Sequence, residues 1–121
     1  MAHFNVRIFF KSFGYAAKGL RYAFRCEQSF RVQVTIAIIV LVLMLVLRVS
    51  TGDVIILLLT ISSVLVLELL NTVLEKFVDI LKPRVHPFVE TIKDIMAAAV
   101  FVASVTSLLI GLLIFVPYLI S

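Results

Sequence analysis

Cysteine is all but missing from this chain, glycine and proline are sparse, and charge is thin. Cys26 stands alone, which excludes an intrachain disulfide and a thiolate metal site. Four glycines, at 14, 19, 52 and 111, are too few for the usual nucleotide folds. There is no G-x-x-x-x-G-K-[ST] phosphate loop, no glycine-rich kinase loop and no D-F-G. Any nucleotide chemistry must therefore run through carboxylate-bound metal and basic side chains. Only 15% of the residues are charged, and 63% are hydrophobic, with a mean hydropathy of +1.21. A soluble domain is nearer half apolar, so a soluble globule is excluded. The first 31 residues hold six Lys or Arg and no apolar core before a small-residue cleavage site, so no cleavable signal peptide is expected. There is no internal repeat and no low-complexity linker.

What is present is three hydrophobic runs: Val32 to Leu47, Val54 to about Leu74, and Ile95 to about Ile120. Each suits a helix of about 20 residues crossing a hydrocarbon core of about 30 Å. The helices containing them are predicted over 32–49, 54–79 and 90–120. The stretch Arg48–Asp53 makes a short turn in which Ser50 or Asp53 caps the next helix. Lys82-Pro-Arg-Val-His-Pro87 breaks the chain between the second and third helices, because two prolines stand so close. Pro117 falls near the last helix end, where it is tolerated.

The charges give a direction. Arg7, Lys11, Lys18, Arg21, Arg25 and Arg31 precede the first span, and Lys76, Lys82, Arg84 and Lys93 lie between the second and third. Only Arg48 lies in the intervening turn. The positive-inside rule makes the ten-residue side cytoplasmic, with the N-terminus inside. The net charge of +4 is therefore a topology signal, and nucleic acid is not an expected partner. Residues 4–30 predict an amphipathic helix lying on the cytoplasmic surface. There Phe4, Phe9, Phe10, Phe13, Tyr15, Tyr22 and Phe24 alternate with basic residues, and Gly14 or Gly19 is the natural place for a bend. Three spans hardly surround a buried carboxylate, so a homo-oligomer is expected.

That carboxylate is Glu68. The second apolar run leads directly into Glu68-Leu-Leu-Asn71-Thr-Val-Leu-Glu75-Lys-Phe-Val-Asp79. At about 100° per residue these four polar positions fall on a stripe roughly 80° wide. A charged side chain in hydrocarbon costs about 2.5–3.5 kcal/mol or more. Counted from Val54, Glu68 lies about 21 Å along its helix, some 9 Å inside the cytoplasmic boundary. Glu75 lies about 10 Å further, near that boundary, and Asp79 beyond it. Glu27 precedes the first span and Lys93-Asp94 the third, so all three helices bring a carboxylate to one interface, with a lysine among them. Hard oxygens at such a place suit Mg²⁺ completed by phosphate oxygens, and the lysine suits a transferring phosphoryl group. Plainer readings stand beside these. Glu27, Asp79 and Asp94 are also explained as solvated helix ends, and Glu75 as a partner of Lys76 or Lys93. Asn71 also reads as helix–helix glue, His86 as a turn residue, and Glu68 as a neutral structural group.

The E-x-x-N-x-x-x-E-x-x-x-D ladder followed by Lys93-Asp94-Ile-Met-Ala-Ala-Ala-Val100 resembles the signature of the small prokaryotic diacylglycerol kinase family. Phe10-Lys-Ser-Phe-Gly14-Tyr15-Ala-Ala-Lys18-Gly19-Leu20 and Glu27-Gln-Ser-Phe30-Arg31 are similar to that family's surface helix. The likeness covers nearly the whole chain in order and spacing. It implies an all-α membrane protein and a single lipid kinase domain over 1–121. In it a surface helix precedes three transmembrane helices, assembled as a homotrimeric bundle in the bacterial cytoplasmic membrane. It implies ATP with Mg²⁺ as phosphoryl donor and a lipid alcohol as acceptor. By position, Glu68 matches the catalytic base, and Glu27 and Glu75 the metal-binding carboxylates. Lys11, Tyr15, Asp79, His86, Lys93 and Asp94 match nucleotide contacts, and Asn71 a polar residue beside the base.

Some positions depart from the family pattern. Arg7 is one residue out of register with the family's N-terminal arginine. Tryptophan is absent, Ala17 standing where Gram-negative members have one, and Ala98 replaces a glycine. Leu67-Glu-Leu-Leu-Asn-Thr72, the His86-Pro87 turn and the ending Ile110-Gly-Leu-Leu-Ile-Phe-Val-Pro117 resemble the Gram-positive undecaprenol kinase branch more than the diacylglycerol kinase branch. Undecaprenol is therefore the expected acceptor and diacylglycerol the alternative. Outside kinases, a small proton-coupled transporter would also carry a Glu in a span, but it would need no further carboxylates at one interface. A purely structural subunit would need no Glu68.

Overall fold

The computed structural model describes residues 3–81 and 87–121. The described residues form four helices and no strand: α1 (Val6–Cys26), α2 (Gln28–Leu47), α3 (Thr51–Leu81) and α4 (Phe88–Ile120). His86, and the expected chain break apart from Pro87, lie outside the described residues.

The α1 helix starts where Asn5 caps it. The Asn5 side-chain oxygen accepts from the backbone N–H groups of Arg7 (2.9 Å) and Ile8 (3.3 Å), satisfying two otherwise open donors. The helix then passes unbroken through Gly14 and Gly19, the expected weak points. It stops at Glu27, whose backbone is extended (φ −115°, ψ 110°), so the helix expected over 4–30 is divided and its last residues belong to α2. The cause is Arg31. Its guanidinium reaches back to donate to the carbonyls of Phe24 (3.0 Å) and Arg25 (2.9 Å). Those groups would otherwise be left open at the helix end, and a basic group also suits the negative end of the helix dipole. A helix whose last carbonyls are met in this way can end without glycine or proline.

The α2 helix, at 20 residues, is about 30 Å long and matches the hydrocarbon thickness. It ends on Arg48 in the left-handed region (φ 51°, ψ 53°), a conformation usually left to glycine. The N–H groups of Arg48 and Val49 both return to the Met44 carbonyl. Val49 packs with Leu47 on the core, the apolar contact such a cap commonly carries. Of the two expected caps for the next helix, Ser50 does the work: its hydroxyl oxygen accepts from the Asp53 N–H at 3.2 Å.

Asp53 does something else. Tyr118, near the end of α4, donates its hydroxyl to Asp53 Oδ2 (2.9 Å), and that hydroxyl oxygen accepts from the Ser50 N–H (3.0 Å). The C-terminal end of α4 is thereby tied to the α2–α3 turn. Met44, Leu57 and Phe115 form the buried cluster beneath it. Tyr118→Phe removes both bonds and is expected to cost about 1–2 kcal/mol of stability. A lowered midpoint of thermal unfolding in detergent, with turnover at low temperature unchanged, checks this.

Tying these ends together decides what happens at the opposite end. With 31 and 33 residues, α3 and α4 are about 46 and 50 Å long and outrun α2 by roughly 16–20 Å. The excess lies away from the turn, where α3 ends and α4 begins. Three helices, α2, α3 and α4, are long and apolar enough to cross a membrane. Their outer surfaces stay apolar, with Leu59, Val73, Leu108 and Leu113 among the exposed side chains. Hydroxyls within them turn back onto their own helices: Thr35 on the Arg31 carbonyl, Thr60 on Ile56, Ser63 on Leu59 and Ser107 on Ala103. Such back-bonding lets a hydroxyl sit in hydrocarbon with its donor satisfied.

Candidate active site

Glu68 is 3% exposed, and with Thr72 it makes up the buried polar and charged residues among those described. It sits in α3, 13 residues or about 20 Å before Leu81. That is the level at which α3 leaves the stretch shared with α2 and enters its overhang. Thr72, one turn on, returns its hydroxyl to the Glu68 carbonyl at 3.1 Å. The Glu68 carboxylate faces the Gln33 side chain of α2 and the carboxylates of Glu75 and Glu27. Residues from three chain segments thus converge around Glu68.

Glu27 reaches this place because of the kink. As the extended residue between α1 and α2, it belongs to neither helix, and its backbone carbonyl still accepts from the Arg31 N–H at 3.2 Å. Glu75 is held by its own helix: Asn71 Nδ2 donates to Glu75 Oε1 at 3.3 Å, one turn away. The Asn71 amide is thus a partner of Glu75 within α3.

Lys76 turns to α1. Its ammonium lies 5.8 Å from the Tyr22 ring centroid. The pair bridges a groove of about 660 Å³ between α1 and α3, with Ala16, Gly19 and Ala23 on one wall and Leu69, Val73 and Phe77 on the other. Lys76 also lies within the field of Glu27 and Asp79.

The end of the overhang carries the remaining residues. Lys93, in the second turn of α4, lies 4.0 Å from Asp79 near the end of α3. Both are partly open to solvent, so this pair is a loose contact of small energetic weight. It shows that the start of α4 lies against the end of α3. Asp94 is exposed beside it. Lys11 and Tyr15 are exposed on α1, about 24 and 18 Å along the helix axis from Glu27, with Tyr15 under the Lys18 ammonium at 5.9 Å. The single chain thus spreads Glu68, Asn71 and Glu75 over about 10 Å of α3, with Glu27 near Glu68 and Asp79 with Lys93 beyond them. It leaves Lys11, Tyr15 and Asp94 at the periphery.

Gln33 and Ser104 are the residues that sequence reasoning missed. Gln33 Nε2 donates to Ser104 Oγ at 3.1 Å, a bond from α2 to α4. The signal was available for Gln33, an amide in an otherwise apolar span. For Ser104 there was none, since serines recur through these helices.

Two carboxylates of different segments facing a third are hard oxygen donors. Mg²⁺ is commonly bound by one or two such groups together with substrate phosphates and water. Among the described residues no three His, Cys, Asp or Glu side chains form a cage for a metal by themselves. Glu27 and Glu75 thus fit a metal that arrives with its phosphates.

The model of the prokaryotic diacylglycerol kinase family matches residues 14–115. An undecaprenol kinase of Bacillus subtilis (strain 168) is 40% identical over 111 residues, which are 92% of this chain and 90% of that protein. A diacylglycerol kinase of Synechocystis is 34% identical over 91% of this chain and 63% of its own length. One from Pseudomonas aeruginosa is 34% identical over 74% of this chain and 73% of its own.

Proposed function

We propose, for a chain that belongs to the prokaryotic diacylglycerol kinase family and is a multi-pass membrane lipid kinase, that it transfers the γ-phosphoryl group of ATP to undecaprenol. The observation carrying this reading is the 40% identity, over 92% of the chain, to an undecaprenol kinase. The geometry supports the chemistry: Glu68 is a carboxylate buried among the spans, at a depth that a lipid hydroxyl reaches from the membrane and a phosphate from the other side. Membership of a kinase family removes the ground for the transporter reading. Two diacylglycerol kinases at 34% identity keep diacylglycerol as the alternative acceptor.

In this reading Glu68 accepts the proton of the acceptor hydroxyl as its oxygen attacks the γ-phosphorus in line. One O–P bond forms, the bond from phosphorus to the bridging oxygen of ADP breaks, and the proton stays on the Glu68 carboxylate. Glu27 and Glu75 would hold Mg²⁺, with Asn71 orienting Glu75 by the bond described above. The metal, when bound, neutralises phosphate charge. Lys93 exchanges Asp79 for the nucleotide's phosphates, a change that its loose 4.0 Å contact makes easy. Lys11, Tyr15, Asp79, His86 and Asp94 complete the nucleotide's surroundings. Confinement of the lipid by the spans and of the nucleotide by the interface supplies the remaining orientation.

The finer architecture belongs to the same proposal. Arg31, Lys76 and Lys93 lie toward the end where α3 and α4 overhang, which supports a cytoplasmic N-terminus. The aromatic cluster of Phe4, Phe9, Phe10 and Phe13, with ring centroids 5.2–6.2 Å apart, supports α1 as the surface helix. Apolar faces left open on every span support assembly, as the homotrimer of the family pattern.

The test is direct. Purified protein in mixed micelles is given labelled ATP, Mg²⁺ and either undecaprenol or diacylglycerol. Label in undecaprenol at the higher kcat/KM is the expected result. Preference for diacylglycerol would move the protein to the other branch, and label in neither lipid would end the proposal.

A further inference from the structure

We infer that Lys76, held over the Tyr22 ring at the groove between α1 and α3, binds the phosphate of the lipid product, whose chain lies in that groove. The inference rests on the reading of Glu68 as the place where the acceptor hydroxyl is phosphorylated.

The groove runs beside the candidate site. Its α3 wall extends from Leu69 to Ile80, about 16 Å along the helix, so it starts next to Glu68 and ends close to Leu81. Thr72, which bonds the Glu68 carbonyl, belongs to the lining. The α1 wall is built of small residues, and a Cβ placed on Gly19 would meet nothing within 4 Å. Lys76 brings the lining its one formal charge, eight residues or about 12 Å beyond Glu68. Its ammonium, 5.8 Å from the Tyr22 ring centroid, is within cation–π range. A neutral ring holds a cation without cancelling its charge. Among the described residues no carboxylate oxygen lies within 4.0 Å of that ammonium; the ion pair there joins Lys93 to Asp79.

An apolar groove that carries an ammonium toward its outer end is complementary to one hydrocarbon chain with an anionic head. The reaction makes such a molecule. The acceptor alcohol is neutral, and its hydroxyl can enter hydrocarbon as far as Glu68. Transfer turns that end into a phosphate monoester, with a charge of about −1.5 to −2 near neutral pH. The new charge meets the acids around Glu68, which repel it, in surroundings where any charge is expensive. Both effects drive the head outward along α3. Lys76 stands on that path, and the groove lets the chain follow. The alcohol offers Lys76 no charge, so the residue separates product from substrate. A phosphodiester of the bulk membrane fits less well, with two chains for one groove and a single negative charge. A second copy of this chain packed there would cover the ammonium, a desolvation that needs a carboxylate of its own to offset.

The test is equilibrium binding of labelled undecaprenyl phosphate to the whole protein in mixed micelles, without ATP. Lys76→Met keeps the apolar stem and removes the charge. It is expected to weaken this binding about 10–100-fold, the range of a lost charge-assisted hydrogen bond. The KM values for undecaprenol and Mg-ATP should stay within about twofold. Lys76→Arg should restore most of the affinity. Gly19→Leu fills the groove from the α1 wall and should weaken the same binding with Lys76 intact; it decides the matter if Lys76→Met fails to fold. Wild-type affinity in Lys76→Met, or equal competition by phosphatidylglycerol or by inorganic phosphate, would overturn the inference. So would loss of the oligomer in Gly19→Leu with product affinity intact, which would give the groove to a second copy. Failure of the binding is distinct from absence of label in undecaprenol in the kinase assay, which would end the reading of function and this inference with it.

Discussion

Replacing Glu68 by glutamine lowers turnover about 10²–10⁴-fold, the range that general-base catalysis contributes, and leaves Mg-ATP binding nearly as it was. The substitution keeps the size of the side chain and removes only the ability to take a proton. It also relieves the repulsion from Glu75 and Glu27 and the expense of a buried charge. The variant should therefore fold at least as well as the parent, and a loss of rate cannot be put down to a loss of structure. The measurement is initial rate in mixed micelles beside equilibrium binding of Mg-ATP. Unchanged turnover would end the role of Glu68; a matching collapse of nucleotide binding would make it part of the nucleotide site.

Glu75→Gln gives the opposite pattern. Removing a ligand should weaken Mg-ATP binding by more than the 10–100-fold that loss of an outer-shell partner typically costs. Turnover at saturating Mg-ATP should fall less than in Glu68→Gln. The residue is positioned for this: half-buried, with Asn71 Nδ2 on Oε1 at 3.3 Å and its charge directed toward Glu68. A glutamine at 75 can still meet Asn71, but it brings a neutral oxygen to the metal in place of a carboxylate. Titration of nucleotide binding against Mg²⁺ concentration isolates the effect. A shift confined to the Mg²⁺-dependent part supports the ligand role, and an affinity equal to wild type at every Mg²⁺ concentration refutes it. The two variants thus divide the ladder: one acid for the proton, the next for the metal.

Much of this was legible in one dimension. Hydropathy located the three spans because a helix in lipid must satisfy its backbone within itself, so that each segment announces itself without reference to the others. Helical periodicity placed Glu68, Asn71, Glu75 and Asp79 on one stripe for the same local reason. The limits of the helices were less legible. The surface helix was expected to run to 30 with weak points at Gly14 and Gly19, and it ends at Cys26 instead. Glycine propensity is a small local term. An arginine capping two carbonyls six and seven residues back outweighs it, and no pattern within the helix records that arm. In the α2–α3 turn, likewise, Arg48 takes the left-handed conformation usually left to glycine.

By itself, then, the sequence determined the class of the protein, the number of helices able to span a membrane and the family to which it belongs. These follow from hydrophobicity, helical repeat and motif spacing, properties a chain carries before it folds. Only the tertiary structure decided which groups meet. Tyr118 ties to Ser50 and Asp53 across more than 60 positions, Gln33 bonds Ser104 across 71, and Lys93 lies against Asp79. Such contacts depend on the register and rotation of whole helices against one another. Those are set by packing summed over each interface, and no single residue in the row of letters encodes them.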